Sequence, residues 1–330
     1  MSILLSLGEL FYRIALGGVG LLYRLKLLKV HRLPAPVISV GNLTWGGTGK
    51  SSLVMKLAPA LKEKGRSPAV LLRGYGGDET RLLRERLHPI PVLAGPDRVA
   101  TGTRAVKELG ADLLILDDGY QQWRLRKDLE ILMVDATAPF GNGHLIPRGT
   151  LREPVRAAAR ADLIVVTRAD LVDPAGLKGV QARLRLINGK APILFARYRP
   201  VELRALFKAS SSPLAELKGE PVCTLAGIAG PGQFEAAVRG LGARVALSYR
   251  VRDHHPYTVG ELTRLFARCQ GKGIRRVVTT PKDAVRIPSR LTDALGPDLK
   301  GIELLVLEVI LEFEPDESEL LHRIDTLLPR

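Results

Sequence analysis

The chain has 330 residues, enough for two domains, and its 46% apolar content is ordinary for a globular protein. A net charge of +15 implies anionic partners, while low aromatic content (5%) and the lack of any RNA-binding signature or basic recognition helix speak against nucleic acid. Two cysteines far apart, Cys223 and Cys269, fit a reducing compartment better than a disulfide framework.

Residues 1–30 are mostly apolar. They do not read as a secretory signal, because the positive charge at Arg24, Lys26 and Lys29 follows the apolar stretch instead of preceding it. Glu9 and Arg13 interrupt the run, and the charge-free part from Ile14 to Tyr23 is too short to span a bilayer. On a helix, Ser2, Ser6, Glu9, Arg13, Gly17, Gly20 and Arg24 form one narrow stripe. The rest is a broad apolar face followed by basic residues, the pattern of a helix lying on an anionic membrane.

Val37-Ile38-Ser39-Val40 predicts a buried strand, and Ser51 onward, with Leu53, Val54, Leu57 and Ala58, predicts a helix. Between them lie Gly46, Gly47, Thr48, Gly49, Lys50 and Ser51, with Ser52 following. Glycines allow several backbone N–H groups to converge on one anion, and the helix start adds positive dipole. Lys50 would reach the β/γ-phosphates of ATP, and the Ser51 hydroxyl would ligate Mg²⁺. The strict G-x-x-x-x-G-K-[ST] pattern asks for glycine at 44, where this chain has Thr44.

Further apolar runs at 69–72, 92–93, 113–116, 131–134 and 163–166 alternate with helical or loop segments, which predicts a parallel α/β sheet. Ligands gather beyond the carboxyl ends of such strands. There stand Asp117 and Asp118, carboxylates expensive to bury unless paired or metal-bound; the spacing does not separate their roles. Thr167-Arg168-Ala169-Asp170 resembles the guanine-reading [NT]-K-x-D pattern, although Arg168 replaces lysine, so a P-loop GTPase stands as an alternative. A non-catalytic, membrane-associated ATP-binding module is another. A polar, proline-bearing connector is expected over 196–220, and a second α/β stretch beyond about residue 215. In it, Asp253-His254-His255 is the best proton-transfer candidate outside the P-loop, with a plain polar loop as the other reading.

The segments GNLTWGGTGKS, RGYG, GDE, DDGYQ, FGNGHLIPRGTLREP, AGIAGPGQF, RDHHPYT and TTPKDAV occur in the order seen in the tetraacyldisaccharide 4′-kinases of lipid A biosynthesis, and the chain resembles that family from its first helix to about residue 290. The resemblance implies transfer of the ATP γ-phosphate, with Mg²⁺, to the 4′-hydroxyl of an anionic glycolipid, tetraacyldisaccharide 1-phosphate, giving lipid IVA. It implies a place at the cytoplasmic face of the inner membrane, and a monomer is expected. It also implies a membrane-associating helix (1–30), a P-loop kinase domain (31–205) and a smaller α/β domain (206–330) closing over the nucleotide. Carried onto this sequence, Asp78 matches the proposed catalytic base and His254 its partner. Lys50 and Ser51 keep their P-loop roles. Asp117 and Asp118 match the acidic pair near Mg²⁺, Arg152 and Glu153 match a polar site motif, and Glu153 is expected on the metal side or against substrate. The chain departs from the family at Ser51-Ser52, where Thr-Pro is common, and at Gln122, where histidine is frequent. RGYG and GDE, normally separated, abut here at Gly76-Gly77-Asp78.

Overall fold

The computed structural model describes residues 2–74, 77–291 and 301–327; Tyr75 and Gly76 of the RGYG motif lie outside them. The chain forms two compact units, neither of them one continuous stretch. Unit 1 comprises Met1–Gly74, Leu83–Tyr198 and Leu311–Arg330, and unit 2 comprises Tyr75–Leu82 and Arg199–Ile310.

In unit 1, helix α1 (Ser2–Arg24) precedes β1 (Val37–Gly41), α2 (Lys50–Glu63) and β2 (Pro68–Leu72). Helix α3 (Asp78–Leu87) follows, its residues to Leu82 belonging to unit 2 and those from Leu83 to unit 1. Then come β3 (Val92–Ala94), α4 (Arg98–Leu109), β4 (Leu113–Asp117), β5 (Leu129–Asp135), β6 (Leu163–Thr167) and α5 (Pro174–Ile187). Strand β7 (Ile193–Ala205) runs on from unit 1 into unit 2. The strands of unit 1 lie in the order β7-β6-β5-β1-β4-β2-β3, joined by parallel pairings. Every residue of β1, β2, β4 and β6 is buried, the near-continuous apolar pattern of a parallel sheet covered on both faces. On one face Leu53, Val54 and Leu57 of α2 pack with Ile38, Val40 and Ile115. The chain goes from β1 by way of α2 to β2 on the β4 side, and later crosses from β4 to β5 on the other side of β1; at such a change of direction the carboxyl ends of the strands form the crevice where these sheets bind ligands.

Part of the stripe of α1, Ser6, Glu9 and Gly20, faces the body of unit 1, while Arg13, Gly17 and Arg24 are exposed. Glu9 is buried, accepting the Leu145 N–H at 3.2 Å and pairing with Arg13 at 2.9 Å and His144 at 3.2 Å. The Tyr12 hydroxyl donates to the Arg152 carbonyl at 2.9 Å. The opposite face, with Ile3, Leu4, Leu7, Phe11 and Ile14, is exposed. By length and composition α1 alone among the described residues qualifies as long and apolar enough to cross a membrane.

Unit 2 continues with β8 (Ser211–Ser212), β9 (Pro221–Ala226), α6 (Pro231–Gly240), β10 (Arg244–Arg250), α7 (Val259–Gln270), β11 (Arg276–Thr279), the short α8 (Pro281–Ala284) and β12 (Glu303–Glu314), whose residues from Leu311 belong to unit 1. Its order β10-β9-β11-β12 is again parallel. The expected connector over 196–220 is in part strand, since β7 reaches Ala205. Pro200, which cannot donate to a ladder, lies between the pairing with β6 (Ile193–Phe195) and the antiparallel pairing with β8 (Leu203, Arg204), so the strand tolerates it.

Candidate active site

The turn after β1 is shaped by two left-handed glycines, Gly46 (φ 122°) and Gly49 (φ 91°). Gly49 is required twice over, because a Cβ there would also stand 2.1 Å from the Tyr198 hydroxyl oxygen. A Cβ at Gly46 or Gly47 would meet nothing within 4 Å, so the turn is open on that side. Gly49 caps α2 without a side-chain hydrogen bond, which leaves the first N–H groups of the helix available to an anion. The buried Thr48 hydroxyl has no hydrogen-bond partner among the described residues. Lys50 Nζ donates to Asn42 Oδ1 at 3.2 Å and lies 3.5 Å from Asp118.

The acidic pair divides. Asp117 ends β4 buried and accepts the Ser51 hydroxyl at 2.9 Å. Asp118 takes a left-handed backbone (φ 59°) that swings its carboxylate away from Asp117 and onto Lys50 and Arg152. Arg152 grips both of its oxygens at 2.8 Å and also hydrogen-bonds Asn42. Burial opposes ionisation of Asp118, but the two cations outweigh it and hold its carboxyl at about 2.

Glu153 departs from the metal-side expectation. Its carboxylate is buried, clamped by Arg160 at 2.6 and 2.7 Å, and accepts from Gln121 at 2.9 Å. Arg160 in turn stacks on the Tyr120 ring at 3.9 Å and reaches Glu130 at 3.3 Å. Thr167 and Arg168 have structural work as well. The Thr167 hydroxyl donates to the Thr48 carbonyl at 3.1 Å, and Arg168 pairs with Asp135 and faces Tyr198.

Unit 2 carries Asp78 and His254 in contact. Asp78 opens α3, and one of its oxygens accepts the Glu79 N–H at 2.9 Å. The other lies 2.7 Å from His254 Nδ1. His254 is non-glycine at φ 59°, a strained conformation that the loop holds by anchoring its neighbour His255 on Glu261 at 2.9 Å. The two histidines therefore diverge, and the His254 ring is largely exposed. Burial pushes the Asp78 carboxyl up, but the hydrogen bonds from His254 and Glu79 and the charges of His254 and Arg286 hold it below its ordinary value.

Sequence reasoning missed Asn42, Tyr198, Arg160 and Arg286. Only Asn42 carried a signal, as the polar residue directly after a buried strand.

Strand, glycine turn, uncapped helix and buried Ser51–Asp117 pair define a P-loop phosphate-binding protein. The family model for tetraacyldisaccharide-1-P 4′-kinase (LpxK) matches residues 1–77 and 76–329. A tetraacyldisaccharide 4′-kinase of Anaeromyxobacter dehalogenans (strain 2CP-C) is 39% identical over 322 residues, 91% of this chain and 85% of that protein. One from Syntrophus aciditrophicus is 36% identical over 92% of this chain and 89% of its own length. The crystal structure of "apo" form LpxK from Aquifex aeolicus in complex with ATP superposes with a TM-score of 0.73 at 27% identity, covering 97% of each chain. The chain belongs to the tetraacyldisaccharide-1-phosphate 4′-kinase family and is a kinase, a phosphotransferase.

Proposed function

We propose that the protein transfers the γ-phosphate of ATP to the 4′-hydroxyl of tetraacyldisaccharide 1-phosphate, forming lipid IVA in lipid A biosynthesis. Its relatives bear the name of that activity, and one of them is described in complex with ATP. The net charge of +15 suits an anionic glycolipid, and the exposed apolar face of α1 suits an acylated one delivered at a membrane. The protein acts as a monomer at the cytoplasmic face of the inner membrane.

The turn 46–51 holds the triphosphate, with Lys50 spreading charge from the transferring group. Mg²⁺ fits the Ser51 hydroxyl and the Asp117 carboxylate, hard oxygen donors 2.9 Å apart in a buried setting. When bound, it neutralises charge on the phosphate oxygens. Asp118 positions Lys50 and Arg152, and Glu153 is already satisfied by Arg160.

The dyad supports a division of labour opposite to the one expected from the resemblance. Asp78, held acidic, is a poor base. It orients the ring and stabilises the imidazolium, while His254 Nε2 takes the 4′-hydroxyl proton as that oxygen attacks the γ-phosphorus. The bond to the β–γ bridging oxygen breaks and ADP leaves. The observation that carries the kinase reading is the 2.7 Å contact of His254 with Asp78, a device for activating an alcohol that a GTPase switch does not need.

Incubation with [γ-³²P]ATP, Mg²⁺ and the disaccharide 1-phosphate in detergent micelles is expected to label the lipid. His254→Ala and Asp78→Ala each lower kcat by roughly 10²-fold or more with little change in ATP affinity. Label appearing only as inorganic phosphate, or an unchanged kcat in both folded variants, refutes the reading.

A further inference from the structure

Behind the dyad, in unit 2, lies a buried cation that the mechanism above does not use. The Arg286 side chain is 7% exposed, and its Nε stands 3.6 Å from Asp78 Oδ2, the oxygen that contacts His254. The guanidinium is fixed from behind. Nε donates to the Lys282 carbonyl at 3.0 Å, and Nη2 donates to the Gly227 carbonyl at 3.0 Å and lies 3.2 Å from Asp283 Oδ1. Asp283 is fully buried and locked by the Gly227 N–H at 2.9 Å, the Tyr257 hydroxyl at 2.8 Å and the Thr280 hydroxyl at 2.6 Å. Nη1 is buried without a hydrogen-bond partner among the described residues. A buried guanidinium with an unspent donor is a costly way merely to pin a loop.

We propose that Arg286 is a positioning residue of the phosphoryl-transfer reaction: held by Asp283, it attracts the Asp78 carboxylate through charge alone, across 3.6 Å, and offsets part of that carboxylate's pull on His254. The proposal rests on the kinase reading above for its catalytic meaning. Physically, Asp78 faces two cations, the imidazolium that forms on His254 and the permanent guanidinium. The more of the Asp78 charge Arg286 offsets, the less the carboxylate favours a proton on His254. The other charged groups around the dyad are Asp253, 4.0 Å from His254 Nε2, and Lys282, 3.9 Å from Glu79. Neither contacts the Asp78 carboxylate in the way Arg286 does.

The test follows the ring protons of His254 by NMR through a pH titration of the full chain. The chain has six histidines, and the His254 signal is assigned by its loss in His254→Gln. Arg286→Met is expected to move the titration midpoint upward by roughly half to one pH unit, while Arg286→Lys, which keeps the charge, leaves it near wild type. Should Arg286→Met fail to fold because Asp283 loses its cation, the double variant Arg286→Met/Asp283→Asn removes both charges and is read in its place. In the labelling assay the acidic limb of the kcat profile moves with the midpoint, and the KM for ATP is unchanged. No movement of the midpoint in the folded Met or double variant overturns the proposal, as does an equal movement in Met and Lys. A wild-type chain that labels no glycolipid, yet shows the charge-dependent midpoint, refutes the kinase reading and leaves the coupling between Arg286 and His254 in place.

Discussion

Replacing Arg160 by methionine tests whether Glu153 is a structural carboxylate. Glu153 is 2% exposed, and Arg160 supplies both of its charged hydrogen bonds, at 2.6 and 2.7 Å. Without Arg160 the carboxylate keeps only the Gln121 amide at 2.9 Å. Removing one partner of a buried pair costs about 3–5 kcal/mol. Loss of the stacking on Tyr120 overlaps with that figure, so about 4 kcal/mol is the working expectation. Glu130 is spared, because Lys127 still pairs with it at 2.7 Å. Trp45 and Trp123 are the only tryptophans in the chain, and both lie in unit 1, so tryptophan fluorescence during urea unfolding reports that unit alone. With a slope of roughly 3 kcal/mol per molar urea, the midpoint falls by about 1.3 M. Adding Glu153→Gln to the same chain removes the stranded charge and recovers most of the loss. A single variant within about 0.3 M of wild type, given the same slope, refutes the reasoning, as does a double variant no better than the single.

The remaining expectations concern the turn, the acid limb and the first helix. Gly49→Ala sets a Cβ against the Tyr198 hydroxyl and forces alanine to φ 91°, whereas Gly47→Ala meets nothing within 4 Å. Differential scanning fluorimetry should show Tm lowered by roughly 5–10 °C in the first and nearly unchanged in the second; equal shifts contradict the geometry. Asp118 is depressed from 3.8 to about 2, so its contribution to stability is complete above its unfolded value and is lost as pH falls from about 4 toward 2. Asp118→Asn therefore flattens the dependence of the urea midpoint on pH in that window, and an unaltered slope there counts against the pairing with Lys50 and Arg152. Leu7→Ser with Phe11→Ser removes two exposed apolar side chains, 47% and 72% accessible, from α1. Sedimentation with anionic vesicles should fall by about 100-fold or more, and undiminished binding removes the membrane role from this face.

The parallel sheet and the phosphate turn were legible because each rests on local chemistry: short apolar runs for β1, β4 and β6, β-branched in β1 and β6, and glycines where positive φ is needed. The first helix was legible from its 3.6-residue stripe, although the stripe turned out to bind Glu9 to the body of unit 1. The roles of Asp117 and Asp118 were not, since they depend on the left-handed turn at Asp118, which a neighbouring pair of identical residues does not announce. Glu153 was expected at the metal or the substrate from the resemblance alone, and its partner Arg160 is brought back to it by the 3-10 helix Val155–Arg160. Arg286 was illegible for a different reason: its contacts with Asp78 and Gly227 join residues more than fifty positions apart. Strand β7 was hidden by Pro200, which forbids a ladder bond at one residue but not at its neighbours.

The Tyr12 hydroxyl holds the carbonyl of Arg152, and that same arginine steadies Asn42 and Asp118 beside Lys50. A shortened form lacking α1, attractive for handling in water, would thus lose the Tyr12 support beneath Arg152. It would present inhibitor screens with a slackened ATP pocket, and compounds ranked on it would be ranked against the wrong target.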